Sequence, residues 1–209
     1  GFNVPGVSAY EYFLTQCRVI WLYLRLFLFP FGLNVDHDIP LSRGPLDGGA
    51  IFGWIALLAV AAAAIVWRKR YPLGSYGILT FFLLLAPTSS FIPILDPSAE
   101  RRMYLPFIGL LFVVLEAVRR LRASRTAVGY ACAAVCVVLA VATYARAEVW
   151  SNALSLWSDA VANSPRKYRP NFQVAYAYYQ RKRCPEALPC FETAAKAARG
   201  DEKYPLLLD

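Results

Sequence analysis

Between Ala50 and Trp67 the chain runs for eighteen residues without a charge, and Arg68, Lys69 and Arg70 follow at once. At about 1.5 Å per residue, that is close to the length an α-helix needs to cross the ~30 Å hydrocarbon core of a bilayer. A segment in lipid must satisfy its backbone donors and acceptors internally, so it is a helix. Its alanines suit close packing against other helices. Four further predominantly apolar segments are present: Tyr12–Pro30, which carries Arg18 and Arg25, Gly77–Leu95, interrupted by Pro87 and Pro93, Leu105–Val118 and Ala127–Ala145. The hydrophobic content of 58% agrees, since soluble domains sit at about 45–50%. The sequence therefore predicts an all-α fold. A polytopic transmembrane region occupies 1–148, with spans at about 12–30, 50–67, 77–95, 105–118 and 127–145, and a short helical tail follows over 149–209.

The net charge of +8 would suit nucleic acid, but the basic residues stand beside apolar runs, where membrane orientation explains them. If each segment from Ala50 crosses once, Arg68–Arg70 and Arg119, Arg120, Arg122 and Arg125 share one face. The opposite face holds Arg43, Arg101 and Arg102, offset by Asp36, Asp38, Asp47, Asp96 and Glu100. The positive-inside rule makes the first face cytoplasmic. The Asp36 loop, the Asp96–Tyr104 segment and the tail then lie outside the cytoplasm, which for a bacterial inner membrane is the periplasm. The chain opens on Gly1 with its only methionine at Met103, and reads as a processed product or a piece of a longer polypeptide.

Two readings of Tyr12–Pro30 stay open. Arg18 and Arg25, seven residues apart, fall on nearly one helical face. Either both face protein partners within a crossing helix, or Arg25 snorkels and the segment lies partly in the interface. The loop Phe31–Gly49 carries Asp36, His37 and Asp38. Neighbours in an extended chain point to opposite sides, so this is a weak metal pattern, and a solvated loop without metal is expected. Cys132 and Cys136, one turn apart, are expected to pack as small hydrophobes.

Between two apolar runs lies Pro87–Pro106, rich in prolines, hydroxyls, carboxylates and guanidinium groups. Its prolines rule out a simple helix. A broken polar segment at membrane depth is tolerated only where protein covers it or it lines a wet cavity, which makes it the first candidate site.

The tail contains a repeat. Ala153, Trp157 and Ala160 recur thirty-four residues later as Ala187, Phe191 and Ala194, the tetratricopeptide period. Pro165 closes the first unit, and Asn171, Val174, Ala175 and Tyr178 supply the first helix of the next. Trp157 and Tyr178 are expected in the core. Trp150, Tyr176 and Tyr179 remain candidates for binding a protein partner. Cys184 and Cys190 either form a disulfide or stay free thiols.

Tyr12-Phe13-Leu14-Thr15-Gln16, Tyr23-Leu24-Arg25 with Pro30, Glu100-Arg101 with Tyr104-Leu105-Pro106, and Arg146 with Trp150 together resemble the later half of bacterial transmembrane and tetratricopeptide-repeat O-mannosyltransferases of the glycosyltransferase C superfamily. The resemblance implies transfer of a sugar from a lipid-phosphate carrier on the non-cytoplasmic face. No resident cofactor is expected. The family's catalytic carboxylates sit in a first outward loop that has no counterpart in this chain. Two functions follow. In a glycosyltransferase, Arg101 and Arg102 bind phosphate oxygens, Tyr104 lines the sugar pocket, and Glu100 or Asp96 is the candidate carboxylate. In a non-catalytic subunit of a larger membrane complex, photosynthetic or respiratory for example, the spans anchor the chain and the tail docks a partner. Glu100 and Arg101 also fit a purely structural ion pair.

Overall fold

The computed structural model describes residues 7–94 and 96–200. Residues 1–6 of the predicted membrane region, Leu95 at the end of a predicted span and 201–209 of the predicted tail lie outside the described residues. The chain is all-helical as expected, with no β-strand among the described residues. Its helices are α1 (Ala9–Leu28), α2 (Ala50–Val66), α3 (Pro72–Leu85), α4 (Pro106–Arg120), α5 (Arg125–Val149), α6 (Ala153–Asn163), α7 (Tyr168–Gln180) and α8 (Cys184–Gly200). Two compact units result: Gly1–Leu33 with Ile39–Arg120, and Asn34–Asp38 with Leu121–Asp209.

Local chemistry sets the helix starts. Ser8 and Glu11 form a reciprocal capping box at α1: the Glu11 amide donates to the Ser8 hydroxyl (3.1 Å) and the Ser8 amide to the Glu11 carboxylate (3.0 Å). The Ser8 backbone N–H, and then its hydroxyl, hold the Glu11 carboxyl below the usual range. Gly48 and Gly49, at φ 58° and 71°, turn the chain through left-handed space into α2. Ser124 caps α5 and Asn152 caps α6.

One predicted span is shortened, and another, Leu105–Val118, keeps nearly its predicted bounds as α4. Pro72 occupies the first turn of α3, where its missing N–H is harmless, so the helix begins before Gly77. It ends at Leu85: Ala86 keeps helical dihedrals and donates to the Phe82 carbonyl, but Pro87 has no N–H with which to continue the ladder. The predicted span to Leu95 is thus a helix of fourteen residues, about 21 Å long, followed by irregular chain. α4, with fifteen residues, is about 22 Å long. Among the described residues two stretches are long and apolar enough to cross a membrane, Asp47–Val66 and α5.

In the first unit, Cys17, Val19, Ile20 and Tyr23 of α1 pack with Leu57 of α2, Phe81 and Leu85 of α3, Met103 and Leu110. α3 and α4 run antiparallel and meet at two glycines. A Cβ at Gly109 would sit 2.5 Å from the Gly77 carbonyl oxygen, and one at Gly77 would overlap the Gly109 carbonyl. In the second unit, α6, α7 and α8 pack through Ala160, Val174, Ala175, Ala187, Ala194 and Ala198, all buried. Of the repeat positions, Ala160, Ala187 and Ala194 are core, Trp157 and Phe191 are half-buried, and Ala153 is exposed. Arg146 of α5 pairs with Asp159 of α6 at 2.7 Å.

The loop around His37 is not solvated as expected. Asn34 and Asp36 are buried because the α6–α7 turn supplies them with partners. Asn34 Nδ2 donates to Ser164 Oγ (2.8 Å), whose hydroxyl donates to the Asp36 carbonyl (3.1 Å). Lys167 Nζ donates to the Asp36 carboxylate (2.5 Å) and to the His37 carbonyl (2.9 Å). Among the described residues no three His, Cys, Asp or Glu side chains gather as a metal site. All five cysteines are free thiols, Cys184 and Cys190 included. Cys132 and Cys136 are exposed on α5 rather than packed within the chain.

Candidate functional site

The proline segment is held in the first unit by one face of α1. Tyr12, Gln16 and Tyr23, at i, i+4 and i+11, fall on one side of that helix. Tyr12 Oη donates to the Thr88 carbonyl (3.2 Å), and Gln16 Nε2 to the Pro97 carbonyl (3.0 Å). Tyr23 Oη donates to the Ala99 carbonyl (3.0 Å) and accepts from the Ala99 amide (2.8 Å). These groups replace the helical hydrogen bonds that the prolines prevent, the condition for burying irregular backbone. Elsewhere on α1, Thr15 Oγ1 accepts from the Ser42 amide (2.9 Å) and Arg18 donates to the Pro40 carbonyl (3.0 Å). Arg18 and Arg25 therefore divide: Arg18 faces protein backbone, whereas Arg25 is exposed in the last turn.

The predicted site residues lie on this segment in different settings. Arg102 is turned inward, donating to the carbonyls of Asp96 (2.6 Å) and Pro97 (3.4 Å). Arg101, 72% exposed, makes a loose 3.7 Å ion pair with Asp96. Glu100, half-buried, opens the short 3-10 turn Glu100–Met103, whose Met103 side chain is buried, and Tyr104, exposed, follows it. The two arginines therefore differ. Arg102 fastens the segment to itself, and Arg101 leaves its guanidinium open to a ligand.

Beside the segment is an apolar cavity of about 300 Å³, lined by Phe13, Trp54, Leu57, Phe82 and Leu85, with Ser89 and Ser90 at its polar edge. Phe13 stacks between Trp54 and Phe91, with centroids 4.3 and 4.5 Å apart. The Ser89 and Ser98 hydroxyls and Gln16 Oε1 are buried without a hydrogen-bond partner among the described residues. Buried polar atoms are normally satisfied; of these three groups Ser89 lines the cavity, which makes its hydroxyl the point where a water or a ligand's polar group fits. An apolar cavity with few polar groups at its edge is the usual character of a small-molecule site.

Sequence reasoning located the segment but not what holds it. The one-sided spacing of Tyr12, Gln16 and Tyr23 was the available signal. Glu116, an acid inside a predicted span, is buried as well. The arginines three and four residues further on were the clue. In the second unit the partner candidates Trp150, Tyr176 and Tyr179 are exposed, at 55, 43 and 59%. Tyr176 extends an aromatic row on α7 through Phe172 to Tyr168. No protein-family model, no curated protein and no solved structure matches this chain.

Proposed function

We propose that the chain is a membrane-embedded, tetratricopeptide-like part of a glycosyltransferase that uses a lipid-phosphate sugar donor on the periplasmic face. The observation that carries this reading is the clamped proline segment, which sets an open guanidinium, Arg101, on an ordered backbone in the same unit as an apolar cavity. In this reading the cavity takes part of the donor's hydrocarbon chain and Arg101 meets its phosphate, where a guanidinium gives two-point hydrogen bonding. Arg102 acts as a positioning residue, through the Asp96 and Pro97 carbonyls. Tyr104 contacts the sugar, and Glu100 or Asp96 orients Arg101 or assists the acceptor hydroxyl. The spans cross several times, with the Arg68–Arg70 end cytoplasmic.

A second reading, a docking subunit of a larger membrane complex, is favoured by the exposed Trp150, Tyr176 and Tyr179, since aromatic anchors dominate protein interfaces. Sugar transfer from a lipid-phosphate donor, measured in the full-length protein, separates the two. Arg101→Gln is expected to abolish transfer with abundance unchanged, because its present ion pair is loose and exposed. Lost abundance would mean that Arg101 is structural. Full transfer by the variant would remove it from the site.

A further inference from the structure

Fifty residues apart in sequence, two basic clusters meet in the first unit. Arg68, Lys69 and Arg70 follow α2, and Arg119 and Arg120 end α4. Arg120 Nη2 donates to the Arg70 carbonyl, and its guanidinium lies 4.2 Å from the centre of the Tyr71 ring. Arg70 lies 5.6 Å from the same ring. Glu116 organises the junction. Its carboxylate accepts from the Leu73 amide in the first turn of α3 (3.2 Å), from Arg119 (3.3 Å) and from Arg120. Arg119 and Arg120 thus share one carboxylate that is only 5% exposed and engaged internally, and through the Arg70 carbonyl Arg120 joins them to the Arg68–Arg70 run. Arg68 donates to the Ile65 carbonyl at the end of α2 (2.9 Å), while Lys69 has no side-chain partner among the described residues. Immediately before the cluster, Ile65, Val66 and Trp67 are exposed at 49, 72 and 56%.

We propose that this cluster is a binding site for the phosphate of an anionic phospholipid, with the acyl chains lying along the apolar end of α2. The inference rests on reading α2 as a membrane span. Its physical basis is separate from the proline segment. Basic groups immediately beyond a span attract anionic headgroups with a strength that grows with each Lys or Arg. Here Glu116 and Tyr71 fix two of the guanidiniums, so the charges are gathered in place before the lipid arrives. A bilayer-length apolar helix ending at the cluster favours a lipid phosphate over a free one.

The test is native mass spectrometry of the full chain released from nanodiscs of mixed phosphatidylcholine and phosphatidylglycerol. Phosphatidylglycerol is expected to be retained selectively. Its preference should fall roughly tenfold or more in Lys69→Gln/Arg119→Gln and several-fold in Lys69→Gln alone, a change that disturbs no contact. Lys69→Arg/Arg119→Lys should keep the preference, as should Arg181→Gln/Lys196→Gln, which removes the same charge from the tail. Equal retention of the two lipids, an equal loss in the tail variant, or displacement of the lipid by inorganic phosphate alone overturns the site. Flotation with neutral phosphatidylcholine vesicles separates the two levels. A chain that does not float loses both the membrane reading and the site, and one that floats without lipid preference loses only the site.

Discussion

Gly77 and Gly109 set how closely α3 and α4 approach, because each stands where any side chain would strike the other's backbone carbonyl. A flexible side chain can yield to a new methyl, whereas backbone cannot, so the helices must separate. Gly77→Ala is expected to lower stability by about 1–3 kcal/mol, the usual range for overpacking, and Gly109→Ala to do the same. Thermal unfolding in detergent measures this. Gly129→Ala on α5, where nothing lies within 4 Å, is the control and should hold or gain stability. Neither glycine could be paired with the other from sequence, since each is simply a small residue in an apolar run. Arg18 and Arg25 teach the same lesson: their common helical face was readable, but not that one would find the Pro40 carbonyl and the other solvent.

At the scale of elements, α1 is best understood as a brace, with a polar face that supplies hydrogen bonds to chain that cannot make its own. Tyr23 is the strongest point of that brace, being fully buried and bonded to both the carbonyl and the amide of Ala99. Tyr23→Phe leaves both backbone groups without a partner, which costs about 1–3 kcal/mol where such groups stay buried. Hydrogen exchange should rise at Ala99 and across the Glu100–Met103 turn while α2 remains protected. Unchanged exchange there would mean that Gln16 and Arg102 suffice to hold the segment. The break in helix after Leu85 was legible because Pro87 forbids continuation. The early start at Pro72 was not foreseen, although proline in a first helical turn has a plain reason to be there.

On the scale of the whole molecule, Asn34–Asp38 belongs to the second unit although the chain on either side of it belongs to the first. Lys167 and Asp36, with side chains 10% and 5% exposed, form the ion pair that secures the segment to the α6–α7 turn. Removing one partner of a buried pair strands the other charge. Lys167→Met is therefore expected to cost about 3 kcal/mol and to expose the amides of 34–38, while Asp36→Asn/Lys167→Met together should cost less than the sum of the single changes. A double-mutant cycle on thermal unfolding, read with exchange at those amides, checks both statements.

The amino-acid sequence by itself determined that the chain is helical, where its apolar segments lie, that prolines break one of them into a polar stretch, and which small residues of the tail recur. All of these are matters of composition, spacing and the backbone rules of single residues. Tertiary structure alone decided which helix braces the broken stretch, that Arg101 stays open while Arg102 turns inward, that two arginine clusters meet around Glu116, and that the Asp36 loop docks instead of standing in water. Apart from the two arginines, which turn on contacts within their own segment, each of those outcomes joins groups distant in the chain through a hydrogen bond or an ion pair, and such a bond depends on where both partners come to rest in space.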